Sequence, residues 1–172
     1  MKKLIILCLL VLSIAGPATC SAAASGDNAL AAVALYIDTS GRYVPGADLL
    51  NKALNEVIRF KVNALFLGSE VQSGNEVLRD LNRCSVTGAA GATAENLAAY
   101  AANRHVNYII LLSVRPIDVA LDIKTYSTAD SAFLVDKSVT RPDGQEAQST
   151  LDALSDMVGS EVTTILQTIR GS

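Results

Sequence analysis

The sequence predicts an α/β fold: a mixed β-sheet, parallel in its first half and antiparallel in its second, covered by helices in the order β-α-β-α-α-β-β-β-α. Three observations predict it. Residues 107–114, Asn-Tyr-Ile-Ile-Leu-Leu-Ser-Val, form the densest apolar run after the amino terminus. A continuous run of this length reads as a central strand buried on both faces. The segments before it alternate between short apolar runs and helical stripes, the pattern of a βαβ unit. The segments after Pro116 alternate residue by residue, with Leu121 and Ile123 set against Asp122 and Lys124. Period two marks strands with one wetter face, as in an antiparallel hairpin.

The elements follow in order. Residues 31–37 read as the first strand. It runs into Asp38-Thr39-Ser40-Gly41-Arg42, a polar loop with turn chemistry. A helix then carries Leu50, Ala53, Leu54, Val57 and Ile58 on one stripe, with Asp48 in its first turn, where negative charge suits the helix dipole. Residues 62–67, closed by Gly68, read as the second strand. Ser73-Gly74-Asn75-Glu76 has the form of a capping box and starts a second helix, with Val77, Leu78 and Leu81 inward. Residues 85–92 form a loop of small residues with too little apolar bulk to pack. Thr93 caps a third helix, which carries Leu97, Ala98 and Ala101 and ends at Arg104 and His105. The central strand comes next, then two alternating strands joined by a loop over residues 127–131. Pro142-Asp143-Gly144 marks a turn. A final helix over residues 150–169 carries Leu151, Leu154, Val158, Val162, Ile165, Leu166 and Ile169, and Gly171 follows it.

The amino terminus is expected to be a secretory leader covering residues 1–24, followed by one domain over residues 25–172. Lys2 and Lys3 precede an apolar segment, and Ala22-Ala23-Ala24 offers cleavage after Ala24. The alternative is lipoprotein processing at Cys20, where Pro17 and Thr19 occupy positions that lipoboxes usually fill with a Leu-like and a small residue. Export makes the location periplasmic or secreted. Losing Lys2 and Lys3 takes the formal charge from −3 to −5. An acidic domain with no basic run does not suit nucleic acid, whose phosphates need clustered Lys and Arg. No later segment is long and apolar enough to span a bilayer. With Cys8 and Cys20 assigned to the leader, Cys84 stands alone. It reads as a small buried hydrophobe with no internal disulfide; an intermolecular disulfide or a reactive thiol is the alternative.

Catalytic signatures are missing from the sequence. There is no Gly-x-Ser-x-Gly elbow, no Gly-x-Gly-x-x-Gly after the first strand and no Walker loop. The one histidine, His105, falls at a helix end with no Cys or carboxylate at metal-ligand spacing. Asp118, Asp122, Asp130 and Asp136 read as solvated strand and turn residues. No catalytic residue and no cofactor is expected.

Two resemblances add to this. Asp38-Thr39-Ser40, after a strand and before a helix, resembles the metal-site loop of von Willebrand factor A domains. That resemblance implies a divalent-metal-dependent adhesion module in which Asp38, Ser40 and Thr93 hold a hard cation. Arg42 departs from the motif, replacing its second hydroxyl, and residues 112–115 lack the Asp-Gly that usually ends the later strand. The second resemblance spans roughly residues 33–169. An Ala-rich helix, the run 106–114 and two alternating strands with Leu134-Val135-Asp136 look like the envelope α/β domains of the TolB amino-terminal, CsgG and LpoB type. It implies an exported, non-enzymatic domain whose partners are other envelope proteins. Ser113 stands where those domains commonly carry Gly, and Lys137-Ser138 where they carry Thr-Gly.

Overall fold

The computed structural model describes residues 29–65, 71–141 and 149–171. Five strands, β1 (Ala29–Ile37), β2 (Val71–Ser73), β3 (Val106–Arg115), β4 (Ala120–Ser127) and β5 (Ala132–Thr140), form one sheet in the order β2-β1-β3-β4-β5. β1 runs parallel to both β2 and β3, while β3–β4 and β4–β5 are antiparallel. The strand at residues 106–115 is therefore the seam between the two halves, as its sequence implies. Helices α1 (Ala47–Leu65), α2 (Asn75–Arg83), α3 (Ala94–Arg104) and α4 (Thr150–Gly171) complete the predicted element order.

Helices cover both faces, which makes the core two layers thick. On one face, Val33, Leu35, Ile110, Leu112, Leu121 and Ile123 meet Leu54, Ile58 and Val62 of α1 and Leu154, Val158, Val162 and Leu166 of α4. Gly159 lets α4 approach closely, since a Cβ there would lie 3.2 Å from the Lys61 side chain and 3.4 Å from Val57. On the other face, Ala32, Ala34, Ile109 and Leu111 meet Val77 and Leu81 of α2 and Leu97, Tyr100 and Ala101 of α3. β1 and β3 are apolar on both sides because both sides are buried. Over β4 and β5 the second face is charged: Lys124 lies 3.5 Å from Asp136 and 5.1 Å above the Phe133 ring centroid.

Three local expectations are corrected. Residues 62–65 continue α1 and are not a strand. Val62 extends the buried stripe of Leu50, Leu54 and Ile58 at i+4 spacing, and a completed helical face outweighs a short apolar run that is ambiguous by itself. The second strand is Val71–Ser73. The capping box is not formed, because Ser73 ends β2 and α2 starts from Gly74 with no side-chain cap. Gly74 takes φ 93°, a left-handed value that permits the sharp strand-to-helix change. The loop at residues 85–92 does pack: Val86, Ala89 and Ala92 are buried in the second core layer. The sheet surface beneath it is built from Ala32 and Ala34 of β1, so small residues fill the space.

Cys84 is buried and disulfide-bonded, contrary to the expectation that it stands alone. Its partner lies outside the described residues. The turn at Pro142-Asp143-Gly144 and the leader with its cleavage site at Ala24 also lie outside them. No helix among the described residues is long and apolar enough to cross a membrane.

Candidate functional site

Open α/β sheets place ligands beyond the carboxyl ends of parallel strands, where successive connections leave in different directions. Here that position lies between β1 and β3. β1 leads to α1 on one face, while the crossover from β2 through α2 and α3 passes over the other. A crevice of about 290 Å³ occupies it, lined by Tyr36, Asp38, Thr87, Gly88, Ser113 and Asp122 among others. The fold thus joins the Asp38 turn to the small-residue loop, the two segments at the ends of the central strands.

Each lining group is held by a nameable contact. The Asp38 amide donates to the Val114 carbonyl at 2.8 Å, which fixes the end of β1 against β3. Asp38 Oδ1 accepts the Ser40 amide at 2.8 Å, an Asx turn that supports Ser40 at φ 52°. The Ser113 hydroxyl accepts the Ala89 amide at 2.7 Å, and a Cβ on Gly88 would come within 3.2 Å of that same oxygen. The Tyr36 hydroxyl donates to the Val86 carbonyl at 3.0 Å. Burial, with a smaller contribution from nearby Tyr100, pushes the Tyr36 hydroxyl well above the ordinary phenol range. Asp122 is gripped by Arg115, with Nε 2.8 Å from Oδ2 and Nη2 3.1 Å from Oδ1. Arg115 also reaches Asp118 and Ser138. Partial burial pushes the Asp122 carboxyl up, but hydrogen bonds from Arg115 and Ser138 and the Arg115 charge outweigh it and hold it below the usual carboxylate range.

The three residues of the metal-module reading do not converge on this crevice. Asp38 lines it; Ser40 and Thr93 do not. Ser40 is spent on the Asp38 turn, and the Thr93 hydroxyl accepts the Asn96 amide at 3.3 Å as the cap of α3, the role its sequence position implies. No group of three or more His, Cys, Asp or Glu among the described residues is placed to hold a metal ion. His105 is the left-handed C-cap of α3, at φ 54°, beside a separate hollow on the far side of the sheet end.

Ser113 and Tyr36 escaped the sequence reading as site residues, and Asp122, read as a solvated strand residue, is instead held by Arg115. Ser113 had a signal: a lone hydroxyl in a doubly buried strand requires a partner. The Arg115–Asp122 pair depends on hairpin register, in which Ser113 faces Asp122 and Arg115 faces Ala120. A further cluster was also missed. Asp80 of α2 is fully buried and bonded to Arg104 of α3, with Arg83 3.0 Å away on the solvent side. Comparison with protein-family models, curated proteins and solved structures returned no match.

Proposed function

We propose that this chain is an exported, non-enzymatic interaction domain of the cell envelope, of the TolB amino-terminal, CsgG and LpoB kind, which works through surface contact with other envelope proteins. The crevice at the sheet edge supports a non-catalytic reading. Both carboxylates that face it are engaged, Asp38 in its turn and Asp122 by Arg115, and the Ser113 hydroxyl is tied to the loop. A general base or nucleophile needs a group free to exchange a proton with a substrate.

The observation that carries the interaction reading is the outer face of α1. Leu49 is 67% exposed and Phe60 69% exposed. They lie eleven residues apart, three helical turns, so both project from the same side, about 16 Å apart along the axis. Tyr43, 90% exposed, precedes the helix. Phe60 also borders an open groove between α1 and α4, walled by Glu56, Lys61, Asp156 and Gly159. Large apolar side chains on one polar-rimmed face mark a contact surface.

The test is site-specific photo-crosslinking in cells that export the chain. A crosslinker at position 60 is expected to give a discrete protein adduct that Leu49→Asp abolishes, while one at position 136 on the opposite face gives none. Equal labelling at both positions, or an adduct indifferent to Leu49→Asp, defeats the proposal.

A further inference from the structure

We infer that the outer face of α1 receives a second copy of this chain, the two α1 helices lying antiparallel about a twofold axis that crosses them near residue 54. The inference rests on the contact-surface reading above and names the occupant of that face. Beside Leu49 and Phe60, the exposed positions of α1 include Asp48, Lys52, Glu56 and Arg59. Their charges run acidic, basic, acidic, basic along the helix, so these four cancel on a chain of formal charge −3. Two copies therefore meet here without the repulsion that a net-acidic patch would impose.

Reversed end to end, that charge pattern is its own complement. In an antiparallel pair Asp48 comes opposite Arg59 of the second copy and Lys52 opposite Glu56, and the axis repeats both contacts. Leu49 comes opposite Phe60 in the same register. The three pairings share a centre near residue 54, to within about 1.5 Å along the axis. Their angular placement agrees. At about 100° per residue, Asp48, Lys52 and Arg59 fall on one flank of the Leu49–Phe60 stripe, with Glu56 at its edge. The opposite flank, at Val57 and Lys61, packs against Gly159 of α4, so the charged flank faces away from α4. A twofold axis across the helix sets each flank against the same flank of the second copy, and the four charges thus meet their own complements.

The same pattern selects against the alternative direction. In a parallel pair each of these side chains would face its own equivalent, acid on acid and base on base. Within one copy Arg59 Nη2 lies 2.6 Å from Glu56 Oε2, between side chains that are 68% and 56% exposed. A bridge in that setting is worth little, so exchanging it for contacts across the axis costs little. The two Leu49–Phe60 contacts supply the apolar burial, and the charges fix direction and register.

Charge exchange tests this. The chain, purified from a bacterium that exports it, is sedimented over a concentration series, and the wild type is expected to dimerise reversibly. Lys52→Glu and Glu56→Lys each set like charges together twice across the axis, and each is expected to weaken the dimer at least about tenfold. Mixed in equal amounts, the two single variants are expected to regain wild-type affinity as a heterodimer, because each then meets its opposite at both contacts. That recovery also shows that both variants are folded. A dimer indifferent to either reversal, or a mixture that stays monomeric, overturns the pairing. In cells, the crosslinker at position 60 is expected to give an adduct of twice the chain mass, joined close to Leu49. A monomeric wild type whose crosslinker at position 60 captures a different protein overturns the second copy and leaves the contact-surface reading standing. The absence of any adduct at position 60 defeats that reading as well.

Discussion

The Ser113 hydroxyl accepts the Ala89 amide at 2.7 Å and so fastens the loop before α3 to the central strand. Both groups are buried. Ser113→Ala leaves that N–H without its acceptor and is expected to cost about 1–3 kcal/mol in urea unfolding. Gly88→Ala crowds the same oxygen, so its cost should shrink in the Ser113→Ala background. Additive effects in the double-mutant cycle would show that the two sites are not coupled.

Asp80 and Arg104 join α2 to α3 out of reach of water. Removing one partner leaves a buried charge, so Asp80→Ala is expected to destabilise by about 3–5 kcal/mol. The paired replacement Asp80→Leu with Arg104→Met should recover most of that loss, because the charges are then removed together. Arg83 is half exposed, and Arg83→Ala should cost no more than about 1 kcal/mol. A large loss from Arg83→Ala alone would place the weight of the cluster on the wrong arginine.

Tyr100 gives the alkaline side of the stability profile. Burial pushes its hydroxyl up to about 12; the Arg104 charge opposes this and the Asp80 charge adds to it. Its hydroxyl has no hydrogen-bond partner among the described residues. A phenol whose folded pKa lies above its unfolded value of about 10 holds its proton more tightly when folded. Its contribution is complete below pH 10 and is lost as pH rises from about 10 to 12. Tyr100→Phe should flatten that decline, by on the order of 2 kcal/mol at the alkaline end, and leave neutral-pH stability equal or higher. An unchanged alkaline slope in chemical denaturation would contradict this.

Thermal unfolding tests the Asp38 turn. Neither Mg²⁺ nor EDTA should move the Tm of the wild-type chain. Asp38→Ala should lower it slightly, through loss of the Ser40 amide bond. A Mg²⁺-dependent rise that Asp38→Ala abolishes would restore the metal-dependent adhesion reading.

Much of the fold was legible because periodicity is a short-range signal. The run at residues 106–115 had to be buried on both faces, and the alternation after Pro116 had to be a hairpin. Thr93 was correctly read as a cap because a hydroxyl three residues before Asn96 is a local geometry. What failed was competition between local signals. Val62 belonged to two patterns, and only tertiary burial beside Ile58 decides between them. Ser73 looked like a cap, but pairing with Val33 took it into β2. The loop at residues 85–92 looked unable to pack because the sequence does not show that Ala32 and Ala34 lie beneath it. The Asp38 turn and the loop at residues 85–92 were each legible as loops, whereas Ser113 and Asp122 join the crevice between them through strand register, which no single segment encodes.

β1 is the earliest-made strand of the sheet, and it lies between β2 and β3. β3, β4 and β5 are joined by short turns and can associate locally, but β1 must wait for β3, far along the chain. Local pairings form fast and distant parallel pairings slowly. The hairpin half is thus expected to form first, with insertion of β1 as the late step. A chain delivered amino terminus first exposes β1 while its main partner is still missing, so the parallel half of the sheet is expected to close only after residues 106–115 have followed.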